Sequence, residues 1–457
     1  MTEHRTVVGA AIPTTAITVV PGGPIQGALA APSSKSVTNR MLVAAALADG
    51  VSLLVDPLAS DDSVVMAGAV TALGAAVETG PAPGSGSAAE VGSGAVVWRV
   101  QGTGGRLVAP ADPIDTGLSG TTMRFVTALS TLARGPVTVT GAPPLLRRPV
   151  GSLIAALRTL GAEVSCTNGR PPVTAAGGGV AGGEVTVDVS GSSQFASAVL
   201  LVAPYARADV VVRTRGAAAV DYIALTVATM RQWGADVSEL DPGAWRVGTG
   251  NGYRAGTHHV EYDASAAAHL LAVAAATGGR VTVSNAATTL QPDAAITVVM
   301  EAMGAQVTRD DDAVTVEGPD RLAPVDVDLS GMPDQVTTIA VLAALADGTS
   351  EIRGVGVART HETDRLAALT RELGKIGVRV EEAPAALTIH GRTRRPGKTR
   401  PARLNTYDDH RLAMAFAALA ARVPALTIEE PWCVSKTYPA FWTDLRTLGV
   451  AWHPENP

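Results

Sequence analysis

The stretch QVTTIAVLAALADGTSEIRGVGVARTHETDRLAALTRELGKIG, residues 335–377, shows the pattern that organises the whole chain. Gln335 to Asp347 is apolar and helix-forming, and it closes just before Thr349–Arg353, which reads as a strand. His361-Glu362-Thr363-Asp364-Arg365 then opens a second helix that ends at Ile376-Gly377, after which apolar strand residues resume. A glycine there reads as a helix C′ residue, where positive φ is tolerated.

Outward from this stretch, the same ending recurs at Leu73-Gly74, Leu160-Gly161, Trp233-Gly234, Met303-Gly304 and Leu448-Gly449, at intervals of about 70 to 87 residues. Such spacing is too long for a solenoid and suits a small α/β unit of two helices and several strands. The earlier helix recurs too, as Ser36 to Asp49 before Val51–Val55 and Thr121 to Arg134 before Pro136–Thr140, with the same order at Ser193, Ser265 and Asp409. Six units predict two three-unit domains, first helices inside and sheets outside, with a boundary near Val260–Asp263. The longest interval, Gly74 to Gly161, contains the Gly/Ser/Pro/Ala-rich stretch Pro81–Ala95, which reads as a flexible insertion.

At 457 residues the chain exceeds one hydrophobic core, which agrees with two domains. Hydrophobic residues make up 46% but aromatics only 4%, so Ala, Val and Leu must build the core. A net charge of −6 argues against a nucleic-acid binder, and the one basic run, Arg392 to Arg403, reads as a solvated loop. Cys166 and Cys433 have neither metal-like spacing nor the numbers for a disulfide framework, which fits a reducing cytoplasm. The apolar stretches Leu270–Ala276 and Ala340–Ala346 are too short to span a bilayer, and Met1–Val20 lacks the basic and apolar blocks of a secretory signal.

The helix starts carry unusual polar residues. Pro32-Ser33-Ser34-Lys35-Ser36-Val37-Thr38-Asn39-Arg40 sets two cations and hydroxyls at a helix N-terminus, where free N–H groups already attract anions. Ser34 or Ser36 as a plain cap is the bland reading, but cations are unfavourable in a first turn unless something negative faces them. Gly117-Leu118-Ser119-Gly120-Thr121-Thr122-Met123-Arg124 lets backbone N–H groups approach a bound group closely, and Ser192-Ser193-Gln194 offers more polar groups than a cap needs. Asp334 on its own reads as an N-terminal helix anion, and Glu362 and Arg365, three apart, as a surface pair. Asp408-Asp409-His410-Arg411 begins the last unit's first helix, and Lys436 follows it. Because these clusters recur at equivalent places in repeated units, Lys35, Arg40, Arg148, Arg365, Arg411 and Lys436 are expected to gather around anionic ligands.

Taken in order, Ser34–Arg40, Ser119-Gly120-Thr121 with Arg124, Arg147-Arg148-Pro149, Ser192-Ser193-Gln194, Pro333-Asp334, Glu362-Thr363-Asp364-Arg365, Asp409-His410-Arg411 and Lys436-Thr437 resemble the EPSP synthase family of enolpyruvyl transferases. The resemblance runs from about residue 18 to 450. It implies an α/β fold of two domains, each of three βαβαββ-like units around a pseudo-threefold axis, split as 34–261 against 1–33 with 262–457, and an active site in the cleft between them. It also implies transfer of the enolpyruvyl group of phosphoenolpyruvate (PEP) to shikimate 3-phosphate by addition and elimination, without metal or organic cofactor. Family members are usually monomeric, so a monomer is expected.

By the same resemblance, Lys35, Ser36, Arg40, Ser192, Ser193, Gln194, Tyr222, Asp334 and His361 would hold shikimate 3-phosphate. Lys35, Gly120, Arg148, Gln194, Arg365, Arg411 and Lys436 would hold PEP, with Asp62, Thr121, Asp409 and His410 in support. Lys35, Asp334 and Glu362 are the implied catalytic groups. Two such substrates bring roughly −5 to −6 of charge to six cations.

Four positions depart from the family pattern: Leu118 and Val357 where Asn is frequent, His361 where many members have Lys, and Ala219 where a Ser is expected. They leave open a paralogue acting on a related cyclic acceptor. The sister enzyme acting on UDP-N-acetylglucosamine normally has a reactive Cys in the loop occupied here by Leu145–Arg148, and none stands there. A non-catalytic binding protein would be expected to lose Asp334 or Glu362, and both are present. Glyphosate targets this family, and Gly120 resembles the sensitive pattern.

Overall fold

The computed structural model describes residues 15–81, 96–216, 221–391 and 401–455. The chain divides into two compact units, Ser33–Glu261 and the described residues up to Pro32 together with those from Tyr262 onward. Each has its own apolar core, dominated by Ala, Val and Leu.

In the Ser33–Glu261 unit the main helices are α1 (Lys35–Leu47), α2 (Asp61–Ala72), α3 (Gly120–Ser130), α4 (Gly151–Thr159), α5 (Gln194–Val202) and α6 (Asp221–Gln232). The other unit holds α7 (Ala264–Thr277), α8 (Ile296–Ala302), α9 (Val336–Leu345), α10 (Arg365–Lys375), α11 (His410–Ala420) and α12 (Phe441–Thr447). Odd-numbered helices are wholly or nearly buried, as helices apolar all round must be. In each unit the three odd-numbered helices pack on one another. Small Ala faces allow this close approach, which explains how a chain so poor in aromatics fills its interior.

Three four-stranded sheets flank these helices in each unit, all with one parallel and two antiparallel pairings. In one sheet Asp326–Asp328 runs parallel to Thr349–Arg353, which pairs antiparallel with Ala386–His390 and through it with Arg379–Ala383. With α9 and α10 between the strands, this is the βαβαββ unit. Strands borrowed from elsewhere in the chain complete three of the sheets. Thr257–His259 pairs with Val51–Val55, Gln26–Leu29 with Arg280–Val283, and Ala16–Val20 with Leu426–Glu429 and Ala451–Pro454. The repeat pattern alone leaves the chain's start unassigned; strand pairing puts Ala16–Val20 and Gln26–Leu29 with the residues from 262 on.

All six marker glycines, Gly74, Gly161, Gly234, Gly304, Gly377 and Gly449, have positive φ. The basic run differs from its reading as a loop: Ala402–Asn405 is a strand, and Arg403 pairs with Glu429 and Glu455. The cause is the strand's position on a sheet edge beside two carboxylates that are distant in sequence. Residues 392–400 of that run, residues 82–95 of the expected insertion, and Ala219 lie outside the described residues.

Candidate active site

In the Ser33–Glu261 unit the starts of α1, α2, α3 and α5 meet. Ser34 caps α1 by accepting from the Val37 amide, so Lys35 stands in the first turn, its Nζ 3.3 Å from the buried Asp62 carboxylate at the start of α2. Thr122 on α3 donates to the Asp62 carbonyl at 3.5 Å. Gln194 opens α5 and bridges to α3: its Oε1 accepts from Arg124 at 2.6 Å and its Nε2 donates to Thr121 Oγ1 at 3.2 Å. Ser192 Oγ accepts from the Gln194 amide, whereas the Ser193 hydroxyl, although at the N-cap, makes no capping bond.

Gly120 explains its own identity. A Cβ there would lie 2.9 Å from Arg148 Nη1 and 3.4 Å from Arg124 Nη1, so two guanidiniums are packed over a bare helix start. Arg124 closes the Gly117–Arg124 motif, and the resemblance assigns it no role. Its place on Gln194, over the Phe195 ring, makes it part of the cluster. A conspicuous spacing of Arg124 from Gly120, one helical turn, was the available signal.

Arg40 departs from the expected picture of a ligand-facing cation. It is 2% exposed, and its guanidinium donates to Thr226 Oγ1 at 2.7 Å and to the carbonyls of Ser36 and Tyr222. Burial pulls its pKa down to about 10, only partly countered by Tyr222. No carboxylate pairs with it among the described residues, so it places an uncompensated positive charge directly beneath Ser36.

The second cluster lies in the other unit and is denser. Arg365, 1% exposed at the start of α10, binds Asp409 through Nε at 2.8 Å and Nη2 at 3.2 Å, Asp334 through Nη1 at 2.5 Å and Glu362 through Nη2 at 2.9 Å. Arg411 Nη2 lies 3.1 Å from Asp334 Oδ2, and Lys436 Nζ donates to Glu362 Oε1 at 2.7 Å. Asp409 caps α11 by accepting from the Arg411 amide at 2.9 Å, and His410, next to it, is buried. The Glu362–Arg365 pair read as a surface pair is thus an interior one.

His361 Nδ1 is 2.9 Å from Asp334 Oδ1 and 3.1 Å from Arg365 Nη1. One nitrogen cannot donate to the carboxylate and accept from the guanidinium together, so the ring's tautomer decides which contact holds. Asp334 is a firm anion: burial pushes its pKa up, but Arg411, His361 and Arg365 outweigh this and hold it well below the usual carboxylate range. For Arg365, burial lowers the pKa and is outweighed by Asp409, Asp334 and Glu362, so the guanidinium stays charged. Val357 sits in the Gly356–Thr360 turn preceding these residues, its carbonyl accepting from Thr360.

The expected excess of cations therefore needs qualifying. Lys35, Arg365, Arg411 and Lys436 each face a carboxylate already, from Asp62, Asp334, Glu362 or Asp409. Pairing of this kind keeps buried cations charged and oriented, and an incoming anion must compete for them.

These units and clusters find clear counterparts. Residues 19–445 match the family model for EPSP synthase (3-phosphoshikimate 1-carboxyvinyltransferase). The chain is 39% identical over 443 residues to the 3-phosphoshikimate 1-carboxyvinyltransferase of Syntrophobacter fumaroxidans, covering 94% of this chain and 99% of that one. With the enzyme of the same name from Nostoc punctiforme it shares 37% over 424 residues, covering 92% and 96%. The solved EPSP synthase from Acinetobacter baumannii superposes with a TM-score of 0.79 at 23% identity, over 97% of this chain and 100% of that chain, which shows the shared fold. The class is thus that of the carboxyvinyltransferases. Within it, the chain belongs to the EPSP synthase family.

Proposed function

We propose that this protein transfers the carboxyvinyl group of PEP to the 5-hydroxyl of shikimate 3-phosphate and releases inorganic phosphate. Family membership supports the reaction. The observation that carries it to individual residues is the shared network Asp409–Arg365–Asp334–Arg411 beside Glu362–Lys436.

In this reading the acceptor oxygen bonds to C2 of PEP, giving its proton to Asp334 while C3 gains one. The tetrahedral intermediate then collapses: the C2–O bond to phosphate breaks and C3 loses a proton, restoring the double bond. Arg148, Arg365, Arg411 and Lys436 hold PEP, Gln194 contacts both substrates, and the backbone at Gly120 faces the PEP phosphate. Ser36, Ser192, Ser193, Tyr222 and His361 hold the acceptor, with Arg40 supporting it from beneath Ser36. Lys35 and Glu362 handle protons at the leaving oxygen and at C3.

The pairing of cations and carboxylates gives binding a chemical consequence. As substrate anions draw Arg365 and Arg411 toward themselves, Asp334 loses partners that hold its pKa down and becomes a better base. Binding energy is thereby spent on activating the catalytic base. A monomer is proposed, as the family resemblance implies, and two cysteines far apart in sequence fit a cytoplasmic setting. Among the described residues no helix is long and apolar enough to cross a membrane.

Phosphate release from PEP, measured with shikimate 3-phosphate, with UDP-N-acetylglucosamine and with no acceptor, tests this reading. Release with the first alone is expected. Release with the second, or silence with all three, rejects it; silence followed by turnover with another cyclic alcohol identifies the paralogue suggested by Val357 and His361.

A further inference from the structure

We propose that Asp293, which no motif singles out, is a positioning residue that keeps Arg411 aimed at the PEP anion. The proposal rests on the function proposed above. Asp293 lies in the short turn Pro292–Ala295 and is fully buried. Its Oδ1 accepts from Gln335 Nε2 at 2.5 Å and lies 3.9 Å from Arg411 Nη1. Gln335 is the chain neighbour of Asp334, so Asp293 bonds to the turn that carries the proposed base and stands within ion-pair range of the guanidinium.

The network has a fixed direction. The Gln335 amide presents its nitrogen to Asp293 and its oxygen to Thr338, whose hydroxyl donates at 2.8 Å. Having spent its one proton, Thr338 Oγ1 must accept from His269 Nδ1 at 3.3 Å, which fixes the Nδ1–H tautomer. His269 is buried and stays neutral: burial first, then the charges of Arg411 and Arg365, hold its pKa well below the usual value. The same turn is anchored on its other side by Gln291, whose side chain accepts from the Ala264 amide at 3.1 Å and donates to the Tyr262 carbonyl at 2.6 Å. Asp293 is thus set on a rigid base rather than on a free loop.

Arg411 faces two carboxylates, Asp334 at 3.1 Å and Asp293 at 3.9 Å. When a substrate anion draws the guanidinium from Asp334, the charge behind it remains and limits its swing. Replacing a buried carboxylate by its amide removes that restraint with almost no change of volume.

Steady-state kinetics of Asp293→Asn with both substrates is the test. The expected result is a KM for PEP raised about ten-fold, equivalent to about 1.4 kcal/mol, with the acceptor's KM within about two-fold of wild type. In an Arg411→Lys background the same change should add little, because the group it positions is already altered. An unchanged PEP KM, a parallel rise in both KM values, or full additivity overturns the proposal. Should Asp293→Asn not fold, Gln335→Met severs the same network and is expected to move PEP KM in the same direction; no movement again overturns it. If the wild type makes no product, the functional reading fails separately. Crystal structures then decide: Arg411 displaced by about 1 Å in Asp293→Asn supports the positioning role, and an unmoved guanidinium refutes it.

Discussion

Replacing Gly120 by alanine tests the anion grip of the Ser33–Glu261 unit with a single methyl group. The new Cβ would stand 2.9 Å from Arg148 Nη1, whereas ordinary contact begins at 3.4 Å, so the guanidinium must retreat by about half an ångström. Its tip is the far end of a flexible side chain, and alanine is the better helix former, so the cost to folding is small. The cost to binding is larger. A hydrogen bond to a charged group contributes about 1.5–3 kcal/mol, and losing half of it raises the KM for PEP about four- to thirteen-fold. Phosphate-release kinetics and thermal melting of the same variant separate the two effects. An unchanged KM would show that Arg148 does not hold PEP from this position, and a fall in Tm of many degrees would show that the methyl group acts on the fold instead.

Asp334→Ala should bind both substrates with KM values near wild type and lose most of kcat, because it removes a base and frees two guanidiniums; a raised KM with kcat intact contradicts that role. The lowered pKa of Asp334 also has a sign. Its contribution to stability is complete above the ordinary carboxylate range and is lost as pH falls, so Asp334→Ala should lose Tm less steeply than wild type below about pH 4. Lys35→Met should reduce turnover by about a thousand-fold, since it uncovers the Asp62 carboxylate as well as the substrate anions, and a near-normal kcat would remove Lys35 from the site. Glu372→Gln should cost about 2 kcal/mol in thermal or urea unfolding. The buried Glu372 carboxylate accepts from Tyr407 Oη, the Asn405 amide and Lys375, and so holds the left-handed residues Tyr407 and Asp408 just before Asp409; unchanged stability would show that this loop holds itself.

Much of the fold was legible because local chemistry wrote it. The six glycines mark helix ends where only positive φ fits, and the Ala-rich first helices have no polar face to show solvent, so inner and outer layers follow from the residues themselves. The site was legible only on one side of each contact. Lys35, Arg365 and Arg411 announce themselves in motifs, but Arg365's main partner Asp409 lies 44 residues away, and the Thr226 that takes Arg40 into the interior lies 186 residues away. Asp293 sits in a turn with no periodicity or motif, and its meaning appears only when the turn is folded under Arg411. Spacing within a helix reveals neighbours; pairings set by topology do not show in it.

The most direct test of the whole account is phosphorus NMR of the wild-type protein with PEP and shikimate 3-phosphate together. The account predicts one inorganic phosphate released for each acceptor converted to its carboxyvinyl ether, and no loss of PEP when the acceptor is left out. PEP consumed without the acceptor, or both acids left intact, would contradict it.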